Sequence, residues 1–217
     1  TNTLKRLNIK RPVVSMMTQT LVESDSDPKK TPERKAIGPW FDRSKADLYR
    51  QTRGWNIMED PGHGYRRSVP SYHAVEVIEK EVIRDLVNRG VVVIAAGGGG
   101  IPVVPDRQGN LVGIEAVVDT EEVACSLAKE LNADTLLMVV ENNDKFMVAG
   151  LSIEKKSTLT DQELEALISE NEIESRTVRS KLQAAIDFLR GGGREVKITT
   201  LRALPDALND KNGLGVR

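Results

Sequence analysis

Short apolar runs alternate with segments of helical apolar spacing over residues 73–217 of this chain. The runs lie at 91–96, 112–118, 135–140 and 195–200, and their aliphatic and β-branched residues are typical of strands. Between the runs, apolar residues recur three or four positions apart, which predicts amphipathic helices. Strands alternating with helices indicate an α/β fold in which helices pack on a mostly parallel sheet.

Three of the predicted helices are defined by an apolar face. The faces comprise Val75, Ile78, Val82, Ile83 and Leu86 in the first, Val123, Leu127 and Leu131 in the second, and Leu182, Ile186 and Leu189 in the third. Gly90 follows the first helix and Gly191–Gly193 follow the third, and glycine in these places predicts the helix ends.

Two helix starts carry a capping signal, in which a short polar residue is followed three positions later by a carboxylate that can reach back. Asp119 has this relation to Glu122, so we interpret Asp119 as the cap of the second helix. Thr160 has the same relation to Glu163 and predicts a shorter helix that starts there.

The run at 91–96 leads directly into four glycines, Gly97–Gly100, and then Ile101 and Pro102. Its continuous apolar character predicts a strand buried on both faces. Glycine has no Cβ atom, so the backbone after the strand can turn sharply and approach a ligand closely. Ligands bind at the carboxyl ends of strands in open α/β sheets, which makes this loop a candidate site. It has neither the ending of a P-loop nor the spacing of a dinucleotide fingerprint.

Residues 18–72 are set apart from the segments around them because 23–72 are polar and rich in proline and charge. They hold most of the aromatic side chains, namely Trp40, Phe41, Tyr49, Trp55, Tyr65 and Tyr72. We interpret them as an inserted subdomain with a small aromatic core, between a first core strand at 1–17 and an α/β region at 73–217. Within it, Arg66 and Arg67 are expected to pair with Glu59 and Asp60.

Composition narrows the range of partners and compartments. Lys and Arg total 31 against 32 Asp and Glu, which argues against a nucleic-acid partner bound mainly through phosphates. One cysteine, Cys125, rules out an intramolecular disulfide and is expected to be a small core thiol. Two histidines, His63 and His73, are too few to indicate a metal site. No apolar run reaches the roughly 18 residues of a membrane span, so a cytoplasmic α/β protein is expected.

Several blocks together resemble the carbamate kinases of the amino-acid kinase fold family. They are Thr18–Val22, Thr31–Pro39 (Thr-Pro-Glu-Arg-Lys-Ala-Ile-Gly-Pro), Glu59–Ser71 (Glu-Asp-Pro-Gly-His-Gly-Tyr-Arg-Arg-Ser-Val-Pro-Ser), Gly97–Val103, Gly113–Asp119, Leu131–Asp134 and Lys181–Phe188. They follow one another at the family's spacing over nearly the whole chain.

The resemblance implies a three-layer αβα sandwich with an inserted lid at about 18–72. It also implies interconversion of ADP plus carbamoyl phosphate with ATP plus carbamate, with Mg²⁺ accompanying the nucleotide. Further implications are arginine metabolism, a cytoplasmic homodimer, and no partner among nucleic acids or membranes.

The resemblance also implies roles for individual residues. Lys35 matches the lid lysine that contacts the substrate, and its alternative role is that of a solvated lysine in a charged loop. Lys181 matches a lysine near the nucleotide phosphates, and its alternative is an exposed lysine in the first turn of a helix. The glycines Gly97, Gly98, Gly99 and Gly100 would bind substrate or phosphate.

The sequence departs from the family on the nucleotide side. Thr120 and Glu121 replace a Lys-Asp pair, so Glu121 keeps the negative charge while the catalytic cation is lost. Residues 176–180 replace a glycine-containing segment, where Arg176 or Arg179 could supply charge, and 140–142 replace a Thr-Gly-Val turn. The family's N-terminal phosphate loop has no counterpart, so we expect either a fragment of a longer chain or a protein without that part of the site. A catalytically degenerate relative that binds carbamoyl phosphate or regulates a partner is the alternative hypothesis.

Overall fold

The computed structural model describes residues 2–23, 33–140, 147–148, 151–152, 157–169, 176–209, 211 and 213–217. Their helices are α1 (Asn2–Arg6), α2 (Arg43–Arg53), α3 (Lys80–Asn88), α4 (Thr120–Glu130), α5 (Asp161–Ser169), α6 (Arg176–Arg190) and α7 (Leu204–Leu208). Their strands are β1 (Val13–Ser15), β2 (Gln19–Val22), β3 (Glu33–Phe41), β4 (Ile57–Asp60), β5 (Gly64–Tyr72), β6 (Ala74–Val77), β7 (Val92–Ile94), β8 (Ile101–Pro105), β9 (Leu111–Gly113), β10 (Val117–Val118), β11 (Thr135–Val140), β12 (Met147–Val148), β13 (Leu151–Ser152), β14 (Ser157–Leu159), β15 (Glu195–Thr200) and β16 (Leu214–Val216). The chain forms two compact units, residues 1–123 and 124–217.

The first unit contains three groups of paired strands. β2 lies between β6, which is antiparallel to it, and β8, which is parallel to it, and β9 extends this sheet from β8. A second sheet has the order β10–β5–β3, with β4 also paired to β5. β1 and β7 form a parallel pair in which Val13 lies opposite Val92. The second sheet carries the segment that contains Lys35.

The second unit is organised around a sheet of order β11–β15–β16–β14, in which β11 and β15 are parallel over six residue pairs. α6 packs on this sheet through its apolar face. Leu182 and Phe188 of that face are 0% exposed as a result. Cys125 is 3% exposed and belongs to the same core, which confirms its assignment as a core thiol. The strands predicted at 135–140 and 195–200 are also confirmed.

Two helix ends of this unit, the start of α5 and the end of α6, lie where local sequence signals predict them. The Thr160 N–H donates to the Glu163 carboxylate at 2.7 Å, and the Glu163 N–H donates back to the Thr160 hydroxyl at 3.2 Å, which is a complete capping box. α6 ends at the predicted glycines, where the Gly193 N–H donates to the Phe188 carbonyl at 3.0 Å. A Cβ atom on Gly193 would lie 2.2 Å from the Phe188 ring, so a side chain does not fit there.

The prediction of a strand buried on both faces at 91–96 is wrong for this chain. Only 92–94 are extended, and Val92 and Ile94 are 37% and 57% exposed. Among the described residues β7 pairs with β1 alone, so it lies in a two-stranded sheet rather than in the middle of a larger one. An apolar run indicates that a segment tends to be buried. Whether it is buried depends on which other elements pack beside it.

Two further element predictions need correction. Val75 belongs to β6 rather than to a helix, and Val82 of α3 is 52% exposed while its neighbour Ile83 is 1% exposed. Apolar residues at 75 and 77 also satisfy the two-residue repeat of a strand, and pairing with β2 selects that alternative. The run at 112–118 is divided into β9 and β10 by a turn in which the Ala116 N–H donates to the Ile114 carbonyl at 3.0 Å.

The aromatic residues of the predicted inserted segment do form a cluster. The Phe41, Tyr49 and Trp55 rings contact one another with centroid separations of 5.1 to 6.5 Å. The expected pairing of Arg66 and Arg67 with Glu59 and Asp60 is wrong. Arg67 instead forms an ion pair with Glu115, and the carboxylate of Asp60 accepts from the Trp40 ring N–H at 2.7 Å. Glu115 is remote in sequence, so local spacing could not indicate it.

Candidate functional site

The glycine segment Gly97–Gly100 forms a tight turn between β7 and β8. Gly97–Gly99 make one 3-10 turn, and Gly98, Gly99 and Gly100 have φ angles of 69°, 95° and 78°. These values lie in the region that residues with a Cβ atom rarely adopt. Ala96 enters the turn with φ 53°, which is unusual for a residue other than glycine. The chain therefore holds a strained connection at the carboxyl end of β7.

Two buried threonines of the segment before and within β2 hold this turn in place. The Thr20 hydroxyl donates to the Gly99 carbonyl at 2.7 Å, and the Thr18 hydroxyl accepts from the Ala96 N–H at 3.1 Å. Their exposed fractions are 0% and 3%. Both bonds join the turn to the segment of β2, which pairs with β8 directly after the turn, so contacts from outside the loop fix the geometry of the turn.

The four glycines divide into two pairs by what surrounds them. A Cβ atom on Gly99 would lie 2.8 Å from the Val118 carbonyl oxygen, and one on Gly100 would lie 2.5 Å from the Thr20 hydroxyl. On Gly97 or Gly98 it would meet nothing within 4 Å. Gly99 and Gly100 are therefore required by internal packing, whereas the backbone at Gly97 and Gly98 is open to a ligand.

Lys35 of β3 lies next to the end of β10. Its ammonium group donates to the Asp119 carboxylate at 2.7 Å, and the two side chains are 33% and 18% exposed. Asp119 directly follows Val118, the residue against which Gly99 packs. The ion pair and the glycine turn are therefore both attached to the end of β10, and a partly exposed cation lies in this region of the first unit.

The start of α4 holds the other carboxylates near this point. The Thr120 hydroxyl donates to the Glu121 carboxylate at 2.9 Å. Glu122 accepts from the Ala74 N–H at 3.1 Å and contacts the His73 ring at 2.9 Å, so it does not complete the capping pattern predicted from Asp119. Asp119 itself binds Lys35. The sequence spacing was correct for a helix start, but the Glu122 carboxylate bonds to His73 and Ala74 rather than reaching back to Asp119.

Lys181 belongs to the second unit and lies on α6. The helix begins at Arg176, so Lys181 lies in its second turn and is half-buried, which corrects the alternative of an exposed lysine in the first turn. Arg179 lies on the same helix and is also half-buried. Glu141 and Asn142 of the altered turn lie outside the described residues.

Three residues of this site were not predicted from the sequence as site residues. Asp119 was interpreted only as a helix cap, although an aspartate at the carboxyl end of a strand is a recognisable signal for a ligand site in α/β folds. Thr18 and Thr20 belong to one of the motif blocks, but nothing in the sequence connects them to glycines about 80 positions away. Their role depends on the pairing of β2 with β8.

The similarity of this chain to known proteins shows which family it belongs to. The sequence model of the Amino acid kinase family matches residues 42–200. A carbamate kinase from Pyrococcus horikoshii is 36% identical over 99% of this chain, which covers 68% of that protein. One from Trichomonas vaginalis is 35% identical over 97% of this chain and 67% of its own length. The chain belongs to the amino acid kinase family, among the carbamate kinases.

Solved structures of carbamate kinases share the fold. The Giardia lamblia enzyme bound to citric acid is 31% identical and has a TM-score of 0.84, with 99% of this chain and 68% of that chain covered. The same enzyme bound to AMP-PNP has a TM-score of 0.79. These similarities confirm the amino-acid kinase fold class predicted from the motif blocks. In the described part of the chain, no helix is long and apolar enough to cross a membrane.

Proposed function

We propose that this chain transfers a phosphoryl group between carbamoyl phosphate and ADP, as a carbamate kinase. The observation that carries the proposal is the 36% identity to a carbamate kinase over 99% of the chain. In the forward direction an oxygen of the ADP β-phosphate attacks the phosphorus of carbamoyl phosphate. The bond from phosphorus to the carbamoyl oxygen breaks, and the products are ATP and carbamate.

The physical requirement of this reaction is positive charge and N–H donors around the moving phosphoryl group, because little covalent chemistry falls to the protein. We assign the cation to Lys35, whose side chain is only one third exposed. Asp119 would hold it before substrate arrives, and an incoming phosphate would compete for the same ammonium. Gly97 and Gly98 would supply backbone N–H groups, since their surroundings leave room for a ligand.

Further parts of the proposal come from the family rather than from contacts. Residues 18–72 would act as a lid that excludes water, Glu121 would keep the negative charge of the family's Lys-Asp pair, and Lys181 would contact the nucleotide. Mg²⁺ would arrive with the nucleotide, since Mg²⁺ is commonly carried by phosphates with few protein ligands. A cytoplasmic homodimer acting in arginine metabolism completes the proposal.

The missing cation at Thr120 motivates the alternative that the chain binds its substrate without turning it over. The relatives are named as kinases, which supports catalysis over a binding subunit. We expect Thr120→Lys to raise the rate, because an ammonium group there would restore the charge of the family pair. An unchanged rate would show that Thr120 is not what limits the reaction.

The test is ATP formation from carbamoyl phosphate and ADP, measured through a coupled reaction with the purified chain. Lys35→Met should lower kcat/KM by about a hundredfold or more, in line with the loss of one preorganised donor. Lys45→Met removes an exposed lysine of α2 and should leave the rate unchanged. No turnover by the unaltered chain, with an active control kinase in the same assay, would refute the proposal.

A further inference from the structure

A cavity of about 270 Å³ lies in the first unit, apart from the site described above. The side chains that give it its character are Arg34, Arg53, Trp55, Arg67, Ser68 and Glu115. Neither Lys35 nor Asp119 lines it. It therefore requires its own explanation.

The cavity opens at a gap along one edge of β5. β4 pairs with β5 up to Arg67, and β10 pairs with it from Ser71, so among the residues that the structure describes no strand pairs with the stretch between them on that edge. The Ser68 N–H donates to the Asn56 carbonyl at 2.7 Å, and Pro70 has no N–H to donate. Most backbone N–H positions in the gap therefore need no strand partner, and the gap has space for a ligand.

Three guanidinium groups converge on this gap. Arg34 donates to the Ser68 hydroxyl at 2.9 Å and also to the Ser68 carbonyl. Arg53 and Arg67 lie over the Trp55 ring, at 4.8 and 4.4 Å from its centroid. Stacking on an aromatic ring fixes the plane of a guanidinium and leaves its edge donors free to bind an oxyanion.

The charges around the cavity do not balance. The ion pair of Arg67 with Glu115 is the one contact of these arginines with a carboxylate within the described ranges. Arg34 and Arg53 contact neutral acceptors and aromatic rings there. Three positive charges against one negative charge leave a lining of +2. The Glu115 side chain is 70% exposed, so an incoming anion can displace it from Arg67 at little cost in burial.

We infer that this arginine pocket binds a small dianion, a phosphate or a short dicarboxylate, at a site separate from Lys35 and Asp119. Arginine recognises both classes through paired N–H donors in one plane. Glu115 serves as an internal counter-ion that the ligand replaces. The inference does not depend on the proposed kinase activity, since no residue of the pocket is assigned a contact with the transferred phosphoryl group.

Isothermal titration calorimetry with inorganic phosphate and with succinate tests the inference and distinguishes the two classes. The titrations use the whole chain carrying Lys35→Gln, which removes the cation of the proposed transfer site and so weakens anion binding there. Saturable binding of one probe, weakened about tenfold by either Arg53→Gln or Arg67→Gln, is expected for the loss of a charge-assisted hydrogen bond. Arg53 ends an exposed helix, so its replacement carries little risk to folding.

The matched control is Arg107→Gln, which removes an exposed arginine from the turn between β8 and β9 and should leave the affinity unchanged. Glu115→Gln should tighten binding several-fold, because the carboxylate no longer competes for Arg67. Three outcomes would overturn the inference: no saturable heat with either probe, an affinity in the Arg53 and Arg67 variants that is unchanged from the Lys35→Gln chain, or a loss in the Arg107 variant as large as theirs.

Discussion

Replacing Gly100 and Gly97 by alanine, one at a time, separates packing from ligand binding in the glycine turn. Gly100 has φ 78° and ψ −179°, a conformation that is essentially restricted to glycine and costs an alanine about 1–3 kcal/mol. The new Cβ atom would also lie 2.5 Å from the Thr20 hydroxyl, which is 0% exposed and donates to the Gly99 carbonyl. Disturbing that buried hydrogen bond costs about 1–3 kcal/mol more.

The expected loss for Gly100→Ala is therefore about 2–6 kcal/mol, a large part of the roughly 5–15 kcal/mol by which domains are stable. Gly97→Ala meets nothing within 4 Å, and its φ lies outside the left-handed range. Its free energy of unfolding should change by less than about 1 kcal/mol, because the substitution mainly restricts the unfolded chain.

Urea unfolding followed by tryptophan fluorescence measures both effects, since Trp40 and Trp55 report on the first unit. ATP formation is then measured for Gly97→Ala, where we expect normal folding with a KM for carbamoyl phosphate raised about tenfold or more. Equal stability losses in the two variants would refute the division of the turn into packed and open glycines. Normal stability together with unchanged kinetics in Gly97→Ala would refute the ligand role.

Two further predictions concern the second unit. Hydrogen bonds from the Thr160 backbone and hydroxyl hold the pKa of Glu163 below its usual 4.5, so its charge stabilises the fold above pH 4.5 and the contribution is lost as the pH falls through the lowered pKa. Glu163→Gln should therefore be less stable than the unaltered chain to urea at pH 7, and the difference should shrink as the pH is lowered below 4.5, so a constant difference would contradict this linkage. Gly193→Ala should cost about 1–3 kcal/mol by thermal melting because the buried Phe188 ring must move, whereas Gly113→Ala, with open space around it, should cost far less.

Features set by neighbouring residues were predictable from the sequence. The Thr160 and Glu163 capping box and the glycine exit of α6 depend on contacts within a few positions, so spacing alone identifies them. The motif blocks identified the fold because they preserve the order of the family's elements. In these cases local preference and tertiary structure agree.

Features set by distant residues were not predictable in the same way. Lys35 and Asp119 are 84 positions apart, and their ion pair depends on how β3 and β10 flank β5. The prediction that Arg67 pairs with Glu59 or Asp60 was wrong for the same reason, since Arg67 forms its ion pair with Glu115, which is more distant in sequence. Val92 and Ile94 are apolar, yet their exposure is decided by which elements lie beside β7.

The location of Cys125 makes the second unit accessible to a separate chemical measurement. It is the single cysteine of the chain and is 3% exposed within the core that contains Phe188. A thiol reagent can reach Cys125 only when that core opens. The rate at which Cys125 is labelled in native buffer therefore reports the opening of residues 124–217. Because both tryptophans lie in residues 1–123, one sample reports the opening of each unit through a different signal.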